Sequence, residues 1–251
     1  MTMRAPTRRF TEHKPTGRPL VLDVGHAAIV DARPLFPSTV VEGDDRPLKP
    51  GNYQRKIGSH VVKGAWQGMP IYCLTLPERV TCPRSCANWR DCYGNKMHWS
   101  KRHAPGPALE DALRAQVAEL AAKHPKGFVV RLHILGDFYS KAYVLMWRSL
   151  LDAHPALRVF GYTAREKDNA AHGLAFHLAC LAIQYRSRWA IRYSDGDPAM
   201  WAPQFRTVTI DKAEDCPASA IVCPAQTDRT ACCGTCGLCW SSTKTIAFLK
   251  H

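Results

Sequence analysis

Phe128-Val129-Val130-Arg131-Leu132-His133-Ile134-Leu135-Gly136-Asp137 is the stretch on which the fold turns. Phe128 to Leu135 reads as a strongly apolar strand that stops at the Gly-Asp pair. Before it, Pro107 to Lys123 reads as a helix, with Pro near its start and Leu109, Leu113, Val117 and Leu120 at helical spacing. After it, Ser140 is placed to cap a second helix running through Trp147 and Leu151 to His154, ahead of Pro155.

The alternation continues outward. Ile71 to Leu76 is a short strand ended by Pro77, and Leu157 to Tyr162 is another, ending at Thr163. Arg165 to about Ile183 reads as a helix weakened by Gly173. Arg188 to Tyr193 and Arg206 to Ile210 complete the strands. Strands alternating with helices of this length imply parallel βαβ units with right-handed crossovers. The expected fold is α/β, an open or partial parallel (β/α) barrel with an extended or disordered N-terminal arm and a C-terminal cysteine-rich metal-binding tail. The expected divisions are 1–55 for the basic, Pro-rich arm, 56–212 for the barrel-like domain with the first cysteine group, and 213–251 for the tail.

Of the 251 residues, 46% are hydrophobic and 22% charged, enough for a sizeable core. No apolar run reaches the roughly 18 residues a membrane span needs, so no membrane partner is expected. Thr7-Arg8-Arg9-Phe10 faintly resembles a twin-arginine export signal, but the apolar region after it is short and polar-interrupted, which leaves the cytoplasm as the expected location. A net charge of +13 would attract a polyanion, so a nucleic-acid partner is a second expectation.

The 11 cysteines fall into two groups, with Cys73 and Cys180 apart. In a reducing compartment such grouping points to metal coordination rather than to disulfides. Cys82, Cys86 and Cys92 come from one loop and leave a fourth metal position without a local thiolate. A closed zinc site prefers four protein ligands. A 4Fe–4S cluster tolerates one iron without a thiolate, and nearby Arg84, Arg90, Lys96, Lys101 and Arg102 would offset its negative charge. Zinc completed by His98, His103 or a distant cysteine is the competing reading, and unmetallated thiols a third.

In the tail, Cys233-x-x-Cys236-x-x-Cys239 repeats the three-cysteine run of bacterial ferredoxins, and Cys223 or Cys216 can supply a fourth thiolate. Zinc is the alternative there. One or two clusters are therefore expected.

Active sites of parallel α/β folds lie beyond the carboxyl ends of the strands. Here those ends carry the first cysteine loop, Gly136-Asp137, Thr163-Ala164-Arg165 and Ser194-Asp195. His133 reads as either a hydrogen-bonded core residue or a proton donor, Asp137 as a turn residue or a site acid, and Arg165 as an anion ligand or a surface ion pair.

The cysteine triplet after the first strand, with a Gly-acid pair ending the second, resembles the radical S-adenosylmethionine enzymes. That resemblance implies a cluster on Cys82, Cys86 and Cys92 whose open iron chelates S-adenosylmethionine. Gly136 and Asp137 would meet its amino group, Ser194 and Asp195 its ribose, with Tyr93 and Thr163 completing the cofactor contacts. His133, Asp137 and Arg165 are the expected catalytic residues. This chain departs from the common pattern in its second gap of five residues, in Tyr93 following the last cysteine, and in Asp standing for Glu.

A closer resemblance is to the phage-associated family known as gene product eighty-eight. It rests on Cys82-Pro83-x-x-Cys86, Arg131-x-His133-x-x-Gly136-Asp137-Phe138, Tyr162-Thr163-Ala164-Arg165 and Cys236-Gly237-Leu238-Cys239-Trp240, across about residues 60 to 251. The expected function is a radical S-adenosylmethionine-type enzyme served by an electron donor. The alternatives are a non-enzymatic, zinc- or iron–sulfur-stabilised nucleic-acid-binding protein, and an electron carrier or redox sensor.

Overall fold

The computed structural model describes residues 20–54, 56–167 and 173–250. The Thr7-Arg8-Arg9-Phe10 segment lies outside the described residues. Eight strands form one sheet: β1 Lys49–Pro50, β2 Ile71–Cys73, β3 Phe128–Leu132, β4 Leu157–Thr163, β5 Trp189–Ser194, β6 Arg206–Ile210, β7 Ala220–Val222 and β8 Thr245–Leu249. Their order is β1-β2-β3-β4-β5-β6-β8-β7. Only β1 runs antiparallel to its neighbour; every other pair is parallel.

Three helices make the crossovers: α1 Pro107–Lys123, α2 Lys141–Ala153 and α3 Leu174–Gln184. From β2 to β5 each strand lies beside its predecessor, so right-handed crossovers in one direction put all three helices on one face. The packing agrees. Leu113, Val117, Val144, Trp147, Leu151 and Leu178 form one buried cluster with Phe128, Val130, Leu132, Val159 and Ile191. Each such side chain contributes about 1.5–3 kcal/mol by leaving water. As expected, Ser140 caps α2, its Oγ accepting from Tyr143 N at 3.0 Å.

The alternate residues of the same strands point the other way. Val129 and Phe160 bury with Ile71, Cys73, Trp66 and Cys239, and Tyr162, Ala190 and Trp240 pack against them. That face is covered by loops and by the cysteine-rich segment. The sheet has two edges, β1 and β7, and no ladder joins them among the described residues. The established architecture is thus a mixed α/β fold on a large, mostly parallel sheet. No helix among the described residues is long and apolar enough to cross a membrane.

Two features differ from the sequence reading in extent. Residues 213–250 include β8, which inserts between β6 and β7 with Ile246 opposite Thr207 and Ile221. Residues 20–31, within the expected arm, lie across the first cysteine loop. Leu22 N donates to Arg90 O at 3.1 Å. Arg90 Nε donates back to Leu22 O at 3.0 Å, Arg84 Nη2 to Val30 O at 2.7 Å and Asn95 Nδ2 to Leu20 O at 2.7 Å.

Candidate metal centres

The first cysteine loop leaves β2 through a helical turn, Glu78–Thr81, and is closed at its base by a buried ion pair. Arg102 Nε donates to Glu78 Oε2 at 2.8 Å and Nη2 to Oε1 at 3.1 Å. Arg102 also holds the carbonyls of Gly94, Met97 and Ser100. One guanidinium thus clamps both ends of the segment carrying Cys82, Cys86 and Cys92.

All three thiols are partly exposed, yet protein surrounds them closely enough to disfavour charge. Burial pushes Cys82 well up, and Asp137, Cys86 and Cys92 push further. Burial raises Cys86 to about 11, against the Asn88 N–H and the Arg79 charge. Cys92 is raised by burial and partly restored by the Gly94 N–H and by Arg79. Thiols that discourage one another's ionisation will release protons to a metal ion placed among them, because the ion supplies the missing positive charge. Arg79 stands beside them, Nη2 donating to Asn95 Oδ1 at 2.7 Å and Nε buried with no hydrogen-bond partner among the described residues.

Asp137 reaches the same region from the loop that follows β3. Its Oδ1 accepts from Phe138 N at 2.7 Å and Thr163 Oγ1 at 2.8 Å, and its Oδ2 from Ala164 N at 2.7 Å. Burial nevertheless raises its carboxyl from 3.8 to about 6. Thr81, the residue before Cys82, links the pieces: Asp137 N donates to its Oγ1 at 3.2 Å, and Arg165 Nη2 donates to its carbonyl. Gly136 is required between them. Its φ is +85°, and a Cβ there would lie 2.6 Å from both Leu76 Cβ and Thr81 Oγ1. Cys82, Gly136, Asp137, Thr163 and Arg165 are therefore brought together. Tyr93 joins them electrostatically: burial raises its phenol, Arg131 lowers it, and Cys92, Glu78 and Cys82 raise it.

Asp195 is engaged elsewhere, and Ser194 sits opposite Thr207 in the β5–β6 ladder. Both Asp195 oxygens go to Thr209, accepting from N at 2.6 Å and from Oγ1 at 3.0 Å, which ties β5 to β6. Among the described residues no hydrogen bond joins either residue to Asp137. His133 lies on the helix side, Nε2 2.9 Å from the Tyr143 hydroxyl and ringed by Phe138 and Tyr143. Burial holds its charged form well below the ordinary range. This is the geometry of a hydrogen-bonded core histidine.

In the second group, Cys223, Cys233, Cys236 and Cys239 all line one small cavity of about 10 Å³, with Trp240 and Ile246 among its walls. Cys223 is the one of the two fourth-ligand candidates that reaches it. Cys216 stands apart, its thiol toward Pro217 O at 3.6 Å. Cys232 faces Thr235 instead. The segment is docked by main chain, Cys233 N to Lys56 O at 2.6 Å and Gly234 N to Ile57 O at 2.9 Å. A Cβ at Gly234 would meet His60 O at 2.2 Å.

Cationic side chains lie near these thiols. Arg192 donates to the carbonyls of Cys239, Leu238, Ser242, Lys244, Pro203 and Arg206. The Arg131 charge opposes the rise at Cys233, and burial lowers Lys56 against the pull of Cys223 and Cys233. Neither Arg131 nor Arg192 forms an ion pair with a carboxylate among the described residues. Buried positive charge without a counter-charge is costly, so an anionic occupant fits. Burial and mutual repulsion hold Cys223 and Cys233 up, Cys223 at about 11. Among the described residues no group of three or more His, Cys, Asp and Glu side chains stands in a metal-holding arrangement. Four cysteines nonetheless line one cavity, and the chemistry of that donor set would suit a thiolate-bound metal centre.

The sequence reading passed over Arg79, Thr81, Arg131, Tyr162 and Arg192. The available signal was a charged residue at the middle of an otherwise apolar strand, as in Val130-Arg131-Leu132 and Ile191-Arg192-Tyr193.

No curated protein and no solved structure matches the chain. The sequence model of the family described as gene product 88 matches residues 48–242, which span both cysteine groups and every strand of the eight-stranded sheet but the last. The match covers well over half of the 251 residues, and the chain belongs to the gene product 88 family.

Proposed function

We propose that this chain is an iron–sulfur enzyme of radical S-adenosylmethionine type with two centres. The open one is on Cys82, Cys86 and Cys92, and the closed one on Cys223, Cys233, Cys236 and Cys239. The observation that carries the reading is the cavity lined by Cys223, Cys233, Cys236 and Cys239, with the guanidiniums of Arg131 and Arg192 close to Cys239. A cluster held by four thiolates is anionic, and those cations supply the opposite charge.

Three thiols from one loop leave a coordination place for an exchangeable ligand. When bound, a 4Fe–4S cluster there supplies an electron to the sulfonium of S-adenosylmethionine. The chain's own groups position and shield. Asp137, oriented by Phe138 N, Thr163 Oγ1 and Ala164 N, presents a fixed carboxylate beside Cys82 for an amino group. Arg165 and Thr81 hold the strand ends in register. Tyr93 and residues 20–31 flank the loop and limit water. The charge of +13 favours a polyanionic, nucleic-acid-related substrate, and free thiols in these numbers suit a cytoplasmic setting with a reducing partner as electron donor.

The test is anaerobic purification with iron and acid-labile sulfide analysis, followed by incubation with dithionite and S-adenosylmethionine. The expected results are brown protein absorbing broadly near about 400 nm and release of 5′-deoxyadenosine. A fully loaded protein that forms none would overturn the radical chemistry. Colourless protein carrying zinc, with a salt-dependent shift of a DNA probe, would instead establish a metal-stabilised nucleic-acid-binding protein.

A further inference from the structure

Arg131 occupies the middle of β3, opposite Cys73 of β2 and Phe160 of β4. It is 8% exposed. A guanidinium has five N–H donors. One donates to Leu132 O at 2.8 Å, and the others have no protein acceptor among the described residues. Its charge lies over the Tyr162 ring at 4.5 Å and the Phe160 ring at 5.5 Å. The Tyr162 hydroxyl is in turn 2.8 Å from Cys239 Sγ. Through Tyr162, Arg131 is thus brought close to the C-terminal cysteine group.

We propose that Arg131 is a positioning residue for the C-terminal centre: its fixed charge, held over Tyr162, favours the reduced, more negative state of a cluster on Cys223, Cys233, Cys236 and Cys239. This rests on the iron–sulfur reading above. Three features support it. Cluster potentials follow local charge, hydrogen bonds to sulfur and solvent exclusion. Arg131 supplies the first, Tyr162 the second and the buried cavity the third. Arg192 is different in kind, because its donors are spread over six carbonyls and serve to fold the tail.

The experiment is an anaerobic redox titration of the full chain, in which dithionite delivers one electron to each oxidised cluster and the reduced form is followed by electron paramagnetic resonance. Arg131→Gln and Arg131→Met should carry the wild-type iron and sulfide content yet show the C-terminal centre at a more negative midpoint. Arg131→Lys, which keeps the charge but loses the stacking, should remain near wild type. A stacking role alone would instead make Lys resemble Met. Loaded neutral variants with an unchanged midpoint overturn the proposal. Wild-type protein that binds no iron overturns the iron–sulfur reading, and this inference falls with it.

Discussion

The phenolic oxygen of Tyr162, on β4, lies 2.8 Å from the sulfur of Cys239, in the last cysteine-bearing turn. The two are 77 positions apart in the chain, and their contact places the C-terminal cysteines on the sheet face opposite the helices. The same contact brings that segment close to Arg131, whose guanidinium lies over the Tyr162 ring at 4.5 Å.

Loss of a single cavity-lining thiol should remove one centre and spare the other. Cys233→Ser or Cys239→Ser is expected to lower iron and sulfide by about half, whereas Cys216→Ser, away from the cavity, should leave both unchanged. Metal analysis of anaerobically purified variants decides the matter; equal losses in all three would show that the cavity does not define the ligand set.

Gly136→Ala should cost roughly 2–4 kcal/mol, from a strained positive φ together with overpacking against Leu76 and Thr81. Because Thr81 precedes Cys82, hydrogen exchange in residues 78–92 should accelerate as well. Chemical denaturation and exchange measured on the same samples check both. A loss of stability below about 0.5 kcal/mol would contradict the packing described.

Asp137 links stability to pH with a definite sign. Its carboxyl sits near 3.8 when exposed and about 6 when folded, chiefly through burial, so the folded state holds the proton more tightly. The resulting stabilisation is complete below pH 3.8 and disappears as pH rises through about 6. Relative to Asp137→Asn, the wild type should lose on the order of 2–3 kcal/mol between pH 4 and pH 7. A difference that stays flat over that window would show that the carboxyl is not perturbed as its burial requires.

Arg192→Leu should release the tail. Six carbonyls would lose their donor, costing on the order of 3 kcal/mol or more, with the greatest gain in hydrogen exchange over residues 238–244. Unchanged protection there would mean that β8 alone holds the segment.

Much of the scaffold was legible locally. The helical spacing of Leu109, Leu113, Val117 and Leu120 places α1 at Pro107–Lys123, and the Ser140 cap places the start of α2. β8 escaped notice because Thr245–Leu249 is five residues long and follows a cysteine run that drew the reading toward an appended tail. Ser194 and Asp195 were grouped with the strand-end site because parallel strands finish on the same side. What a carboxylate does there depends on its partner, and Asp195 has Thr209.

By itself the sequence determined the alternation of apolar strands and amphipathic helices and the grouping of the cysteines, since these depend on periodicity and on residue chemistry within a few positions of one another. It carried the central strand on to Gly136-Asp137, whereas the ladder ends at Leu132. Only the tertiary structure decided which thiols share a cavity, that Cys223 rather than Cys216 lines it, and that Arg131 and Arg192 lie near Cys239. Those relations join residues many tens of positions apart across a sheet. The free energy that enforces them, counter-charge for buried guanidiniums and partners for buried donors, arises only when water is excluded.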